Sequence, residues 1–219
     1  MDRFIETLQR PDFIENLIIH IEYTVLATLI GLLVAIPVAV LVNRSDAAST
    51  FAINVGNIGR AVPSLAVLVL MFPVFGLGFD SVLFALTLLA IPPILINAVV
   101  GLRQVSAQIL DSAKGMGLSG RQVLTGIQIP IAAPIIFAGI RTSAVQVVAS
   151  ATLATFIGGG ALGDYIVEGF QRNDTAISLA GAFSVAVLAV ITELGFAALE
   201  RTFTPKGLRI AQKRGRATK

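Results

Sequence analysis

The chain has 219 residues, of which 55% are hydrophobic and 13% are charged, and its formal net charge is +3. A soluble domain of this length would carry about 25% charged residues, so the composition predicts an integral membrane protein. The sequence contains no cysteine and a single histidine, His20, which excludes disulfides, thiolate metal sites and centres built from several histidines. Seven of the 16 basic residues lie between positions 201 and 219, where membrane orientation explains them better than nucleic-acid binding does.

Residues 1–17 mix charged side chains such as Arg3 and Glu6 with apolar ones such as Phe4 and Ile5. This pattern predicts an amphipathic helix that lies at the membrane interface, and an untethered tail is the alternative. The segment has neither the basic start nor the small-residue cleavage site of a secretory signal peptide. We therefore expect an interfacial segment ahead of the first membrane span.

Five hydrophobic stretches follow, each long enough for the roughly 20 residues that cross a bilayer. They occupy residues 18–42, 51–75, 81–101, 132–156 and 177–199. Proline lies in the body of four of them, at Pro37, Pro63, Pro73, Pro92, Pro93 and Pro134. Membrane helices tolerate such prolines because neighbouring helices satisfy the freed backbone groups. The pattern predicts an all-α membrane domain over residues 18–200, with kinked helices around a pathway and a basic tail over residues 201–219.

Basic residues are distributed unequally between the two sides of these spans. One side receives 11 lysines and arginines, namely Arg44, Arg103, Lys114, Arg121 and the seven between 201 and 219. The other side receives three, Arg3, Arg10 and Arg172. Because loops rich in lysine and arginine remain in the cytoplasm, we expect the N-terminus outside, the C-terminus in the cytoplasm and a cytoplasmic loop over residues 104–130.

Three charged residues lie inside the predicted spans, Arg60, Arg141 and Glu193. A charge within the membrane needs a partner or a water-filled cavity. Arg141 and Glu193 each lie about eight residues, or roughly 12 Å, from one end of their spans, so they could form an ion pair. The alternative is that each snorkels or meets backbone carbonyls. Proton-coupled carriers also use such residues, so this pair keeps a secondary transporter open as an alternative function.

The loop over residues 111–130 carries signals for helix ends. Ser119 and Gln122 have the spacing of a capping box, which predicts a short helix that begins at Ser119. Gly115 and Gly117 supply positions where a preceding helix can stop. The loop is therefore predicted to hold two short helices with a sharp turn between them.

Gly115, Gly117 and Gly120 also spell the G-x-G-x-x-G pattern of dinucleotide-binding folds. That interpretation requires a preceding strand and an acidic residue about 20 positions further on. No strand is predicted here, and Ile140 and Arg141 occupy the acidic position. The pattern therefore does not indicate a nucleotide site.

A second glycine-rich run, residues 157–164, lacks the Lys and Ser/Thr of a phosphate-binding loop. We expect its glycines to break the fourth helix and to form a gate within an outer loop over residues 157–176. The residues predicted to form the gate or to contact an external partner are Gly158, Gly159, Gly160, Gly163 and Asp164. Tyr165 and Glu168 are expected to face the same partner.

The stretch from Asp111 to Pro130 reads Asp-Ser-Ala, three residues, Gly117, nine residues, and then Ile-x-Ile-Pro. It resembles the EAA loop of ATP-binding-cassette (ABC) importer permeases, whose pattern is E-A-A-x3-G-x9-I-x-L-P. The spacing agrees throughout. The departures are Asp111 for Glu, Ser112 for Ala and Ile129 for Leu; Asp111 keeps the negative charge of Glu on a shorter side chain.

Longer runs, roughly over residues 60–169, are similar to permeases of the osmoprotectant group. These import compatible solutes such as glycine betaine, choline, carnitine or proline-like compounds. Methionine-type permeases share the five-span plan, so the permease of a methionine or other amino-acid importer is the nearest alternative. The substrate class rests on this resemblance alone.

The resemblance implies a type I ABC importer permease in the cytoplasmic membrane, with no ATPase site and no cofactor of its own. ATP and magnesium would lie on two partner ATPase subunits. A second permease half, either the same chain or a homologue, and an extracytoplasmic solute-binding protein would complete the complex. The residues expected to couple to the ATPase are Asp111, Ser112, Ala113, Gly115, Gly117, Ile127 and Pro130. Gly117 is expected to form the turn, and Ala113 to fit closely against the partner.

Aromatic residues that could hold a quaternary amine are few, since the chain has no tryptophan and two tyrosines. An aromatic cage would have to use phenylalanines such as Phe72, Phe75 or Phe156. We expect the cage to lie in the binding protein, and the sequence identifies no substrate ligands in this chain.

Overall fold

The structure is a computed structural model that describes residues 2–203. Most of the tail predicted over residues 201–219 lies outside these residues. Ten α-helices follow one another in the described part: α1 Asp2–Leu8, α2 Pro11–Val42, α3 Asp46–Ala61, α4 Ser64–Phe75, α5 Phe79–Arg103, α6 Ala107–Gly115, α7 Gly120–Val123, α8 Ile129–Ala151, α9 Gly163–Gln171 and α10 Thr175–Phe203. A π-helical turn, Leu124–Gln128, joins α7 to α8, and a 3-10 turn, Thr152–Ile157, follows α8. The predicted all-α class is confirmed.

Four stretches of helix are long and apolar enough to cross a membrane within residues 2–203. They are α2, α5, the continuous helix Gly120–Ile157 and the helix Thr175–Thr202. The pair formed by α3 and α4 gives a fifth if the two helices count as one span. The chain thus has the helices of a multi-pass membrane protein.

The second predicted span, residues 51–75, is not one continuous helix. The axes of α3 and α4 are bent by 92°, and the break contains Val62 in an extended conformation, with φ −72° and ψ 127°. Pro63 explains the break, because its ring disfavours helical geometry at the residue before it. Arg60 consequently lies in the last turn of α3, exposed and next to the bend.

The first span begins earlier than predicted. Helix α2 starts at Pro11, where proline suits the first turn because its missing N–H would have no partner there anyway. Residues 1–17 are therefore divided between α1 and the first turns of α2. Helix α1 packs against α10, with the ring of Phe4 edge-on to Phe183 at 5.9 Å between centroids.

Helix α5 is the centre of the bundle and packs against α2, α3, α4 and α8. Small residues allow these close approaches. A Cβ atom added at Gly139 of α8 would lie 2.5 Å from Cβ of Asn97 and 2.9 Å from the carbonyl oxygen of Pro93. A Cβ at Gly31 of α2 would lie 2.9 Å from Cβ of Ala90, which also lies on α5. Glycine at these crossings sets the distance between the helices.

We expect Gly139→Ala to destabilise the bundle by about 1–3 kcal/mol, because the added methyl group would overlap the α5 backbone. Thermal unfolding of the purified protein in detergent measures the effect. Gly195→Ala in α10 is the matched control, since a Cβ there meets no described atom within 4 Å. Equal melting temperatures for the two variants would contradict the close-packing argument.

Candidate functional site

The sharp turn predicted between two short helices is present between α6 and α7. The N–H of Gly117 donates to the carbonyl of Lys114 (2.9 Å), and the N–H of Leu118 donates to that of Ala113 (3.3 Å). These two bonds and the φ of +82° at Gly117 form a Schellman motif, the usual glycine-dependent end of a helix. Gly117 thus forms the turn, as the sequence predicted.

The predicted capping box is also present. The Ser119 hydroxyl accepts a hydrogen bond from the N–H of Gln122 at 3.4 Å, and the Gln122 side chain accepts one from the N–H of Ser119 at 2.8 Å. Both bonds satisfy backbone donors that the first turn of a helix leaves without partners. The loop is therefore ordered by local hydrogen bonds although most of it is exposed.

Helix α7 is continuous with the long apolar helix that follows it. It passes through the π-helical turn into α8, and the N–H of Ile129 donates to the carbonyl of Leu124, five residues earlier. Pro130 explains the wider turn, because proline has no N–H and its ring displaces the carbonyl four residues before it. The predicted fourth span, residues 132–156, thus lies within a longer helix that runs from Gly120 to Ile157.

The predicted coupling residues differ in their accessibility. Asp111, Ser112 and Gly115 are exposed, and the Asp111 carboxylate lies 3.8 Å from Nζ of Lys114. Ile127 and Pro130 are partly buried. Ala113 is only 1% exposed, which differs from the expectation that its side chain fits against a partner, because the chain itself already covers it.

Sequence reasoning missed Met116. Its side chain is 73% exposed at the tip of the loop between α6 and α7, and Ile109 on α6 is 44% exposed. Exposed apolar side chains next to an ordered turn are typical of contact surfaces. The signal available in the sequence was a methionine placed between Gly115 and Gly117.

The glycine-rich run breaks the fourth helix as predicted, and it packs into the opposite end of the bundle. Gly158 and Gly160 have φ values of +70° and +71°. The hydroxyl of Tyr23 donates to the carbonyl of Gly159 at 2.8 Å. A Cβ at Gly163 would lie 2.0 Å from the carbonyl oxygen of Thr152, so only glycine fits. Gly158 is exposed, whereas Gly159, Gly160 and Asp164 are partly buried and Gly163 is buried.

Tyr165 does not face an external partner. It is 1% exposed and lies between Phe13, at 5.6 Å between ring centroids, and the Arg10 guanidinium, which is 5.2 Å from the ring. Its hydroxyl accepts a hydrogen bond from Asn16 at 3.3 Å, and burial raises the pKa of the phenol. The expected external role of Tyr165 is therefore wrong, because this side chain holds α9 against α2.

Ion pairs hold the N-terminal segment against the end of the bundle that also contains the glycine-rich run. Arg10 pairs with Glu168 at 2.8 Å, and Glu168 also pairs with Arg172 at 3.2 Å. Glu168 is therefore occupied within the chain. Arg3 pairs with Asp174, and the hydrogen bond from Arg3 lowers the pKa of the Asp174 carboxyl. These pairs join α1 and the start of α2 to α9 and the start of α10.

Arg141 and Glu193 lie together, as the pairing hypothesis requires. Nε of Arg141 is 3.5 Å from a carboxylate oxygen of Glu193, and Nη1 is 3.4 Å from one of Glu200. Glu193 and Glu200 lie seven residues apart, on one face of α10. The sequence did not suggest Glu200, and the structure gives the arginine of α8 two carboxylates on α10.

A family model described as "Binding-protein-dependent transport system inner membrane component" matches residues 17–205. The chain belongs to this family. It is thus a multi-pass inner-membrane component of a transport system, in agreement with its apolar helices.

Curated relatives within the family cover most of this chain. The carnitine transport permease protein OpuCB of Listeria monocytogenes is 38% identical over 196 residues, which are 90% of each chain. The glycine betaine/carnitine/choline transport system permease protein OpuCB of Bacillus subtilis is 39% identical over 189 residues, 86% of this chain and 87% of the relative. The likeness therefore extends beyond the loop motif to nearly the whole permease.

Solved structures show the same fold at lower identity. The MetNI methionine ABC transporter in an inward-facing conformation matches with a TM-score of 0.76 and 18% identity, over 88% of this chain and 96% of that chain. An amino acid ABC transporter with histidines matches with a TM-score of 0.65 and 21% identity, over 88% of this chain and 92% of that chain. The fold is that of type I ABC importer permeases.

We expect Arg141→Met to destabilise the protein by about 2 kcal/mol or more, because it removes the cation that lies between the carboxylates of Glu193 and Glu200. Glu193→Gln should cost less than about 1 kcal/mol, since Arg141 keeps Glu200. Unfolding of the purified variants in detergent gives the comparison. Equal losses of stability in the two variants would show that Arg141 does not bridge Glu193 and Glu200.

Proposed function

We propose that the chain is the membrane-spanning permease subunit of an ATP-driven ABC importer for osmoprotectants such as glycine betaine, choline, carnitine or proline-like solutes. The observation that carries this proposal is the 38–39% identity, over 86–90% of the chain, to permeases named for carnitine, glycine betaine and choline. The likeness to the methionine transporter, at 18% identity, supports the fold alone. An osmoprotectant importer is therefore favoured over a methionine importer.

We infer five membrane spans, with α3 and α4 together forming the second. The N-terminus then lies outside and the C-terminus in the cytoplasm, as the unequal distribution of basic residues favours. The turn between α6 and α7 lies on the cytoplasmic side, and α1, α9 and the glycine-rich turn lie on the outer side. Arg103 at the end of α5 pairs with Asp46 at the start of α3, which brings two cytoplasmic helix ends together.

The turn between α6 and α7 is the proposed contact with the ATPase subunits. Met116 and Ile109 offer exposed apolar surface there, and Asp111 and Ser112 offer polar groups beside it. Gly117 holds the turn in shape through its positive φ of +82°, and a Cβ there meets no described atom within 4 Å. Contact and turn formation are thus assigned to different residues of the loop.

The continuity of α7 with α8 supports a mechanical role for this loop. The intervening π-helical turn keeps its backbone hydrogen bonds, so a displacement of α7 moves α8, which packs closely on α5. ATP binding would draw the two ATPase subunits together and rock paired permease halves from inward to outward opening. In this proposal α7 and α8 of this chain transmit the movement, and ATP with its magnesium stays on the partner subunits.

The outer side is the proposed docking site for a solute-binding protein. Gly158 is exposed at the turn, and Asp164 is partly buried beside it. The ion pairs that hold α1 to α9 and α10 keep this surface in place. Because a binding protein supplies affinity for the solute, the permease need bind it only weakly.

Isolation of the complex from its native membrane through a tag on this subunit tests the proposal. Mass spectrometry should identify two ATPase subunits, a second permease half and a binding protein. In proteoliposomes, the binding protein loaded with choline, carnitine or glycine betaine should stimulate ATP hydrolysis and solute uptake. Uptake by the chain alone, driven by an ion gradient without ATP, would instead establish a secondary transporter.

We expect Gly117→Val to reduce solute-stimulated ATP hydrolysis by roughly five- to hundredfold. A β-branched residue at positive φ adds about 1–3 kcal/mol of strain, which depopulates the turn. Gly120→Ala is the matched control, because that position is helical and a Cβ there also meets no described atom within 4 Å. Full stimulation in Gly117→Val would rule out this turn as the coupling element.

We expect Met116→Ser to weaken binding of the ATPase subunits by about 5- to 30-fold, the effect of losing an apolar anchor worth about 1–2 kcal/mol. Binding of purified ATPase to the permease in detergent measures it. Phe170→Ser is the control, because Phe170 is equally exposed, at 73%, but lies on α9 at the opposite end. If both variants bind the ATPase like the wild type, Met116 is not part of the contact.

A further inference from the structure

An open groove of about 560 Å³ lies between α2, the end of α4 and the first half of α5. This volume falls within the range of small-molecule sites. Asp80, Phe84 and Thr87 follow one another along one face of α5, and Ile30 and Val34 of α2 form the opposite wall. The groove is separate from the coupling loop and from the glycine-rich turn.

Asp80 places a carboxylate at one end of this groove. It lies in the first turn of α5, where the helix dipole favours a negative charge. Within residues 2–203 its carboxylate forms no salt bridge with a lysine or an arginine. The groove therefore offers an accessible negative charge to a cation.

Two aromatic rings line the same groove as this carboxylate. Phe75 at the end of α4 and Phe84 on α5 have ring centroids 4.7 Å apart and planes tilted by 35°. Both line the groove, and they are 43% and 44% exposed. Aromatic faces attract a cation that lies within about 6 Å of the ring centroid.

Thr87 adds a polar group deeper along α5. The residue is 8% exposed, and its Oγ1 has no hydrogen-bond partner within the described structure. Threonines in helices often donate to the carbonyl four residues earlier, as Thr24 and Thr142 do here. Thr87 lines the groove without such a bond, and because its Oγ1 is almost inaccessible, a small shift of its side chain would be needed to bring the hydroxyl to a ligand.

We propose that this groove is a weak binding site for the quaternary ammonium group of the transported solute. The inference rests on the proposed function, which supplies a solute with such a group. Asp80 provides the opposite charge, Phe75 and Phe84 provide the aromatic faces, and Thr87 provides a hydroxyl. The methyl groups of the cation are covered by the aliphatic wall of α2.

The groove should favour a cation over a zwitterion. Choline carries a positive charge and a hydroxyl group, whereas glycine betaine carries an additional carboxylate that Asp80 repels. Phenylalanine binds cations less well than tryptophan does, and the groove is open, so the affinity is low. A low affinity suits a transport pathway, because the solute must leave the site again.

Saturation-transfer NMR on the N-methyl protons of choline tests the site. The sample is the purified permease–ATPase complex in a maltoside detergent, without binding protein and without phosphatidylcholine, whose headgroup has the same cation. We expect Asp80→Asn to raise the dissociation constant of choline about fivefold. Phe84→Leu should raise it about two- to fivefold.

Matched variants separate binding from folding. Asp80→Glu keeps the charge and Phe84→Tyr keeps the ring, so both should bind choline within about twofold of the wild type. Phe170→Leu removes an exposed ring outside the groove and should change nothing. Unaltered choline binding in Asp80→Asn and Phe84→Leu, or an equal loss in Phe170→Leu, would overturn the proposal.

Uptake into proteoliposomes distinguishes this inference from the proposed function. If the wild-type complex with its binding protein imports none of choline, carnitine and glycine betaine, the proposed function is wrong. If it imports them and Asp80→Asn imports choline as fast as the wild type, the function stands and the groove is not on the pathway. The supporting result is a larger loss of choline uptake than of glycine betaine uptake in Asp80→Asn.

Discussion

The close packing of α5 against α2 and α8 is the constraint on which the rest of the structure depends. In a bilayer, lipid replaces water, so helices associate through tight contacts and hydrogen bonds rather than by hiding apolar surface. Gly31 and Gly139 bring the two outer helices against the backbone of α5. The hydroxyl of Ser143 donates to the carbonyl of Ala90 at 2.9 Å across the same contact. Both candidate sites are attached to this three-helix core.

The parts of the fold that the sequence predicted are those set by near neighbours along the chain. The capping box at Ser119 and the turn at Gly117 depend on bonds between residues at most five positions apart, so their residue types suffice to predict them. Pro63 was the sequence signal for the break in the second span, but the hydropathy of residues 51–75 favoured one straight helix. The local effect of proline on Val62 determined the outcome.

The parts that the sequence did not predict depend on contacts between distant residues. Tyr165 was expected to be exposed because it follows a glycine-rich run, yet it meets Asn16, which lies 149 positions earlier. Glu200 was overlooked as a partner of Arg141 because the predicted span ended at residue 199. The groove beside Asp80 requires α2, α4 and α5 to be placed together. Periodicity and spacing carry no information about such distances.

The loop between α6 and α7, which we propose as the coupling element, is exposed and yet ordered. Burial orders most of the core, but the turn at Gly117 has open space around it and is held by its own backbone and cap bonds. Such bonds persist when a partner approaches, because none of them uses the surface that Met116 presents. The π-helical turn before Pro130 joins α7 to α8 within one continuous helix. Since α8 rests on α5, and α5 carries Asp80, Phe84 and Thr87, a movement of the loop reaches the proposed solute groove through one packed helix pair.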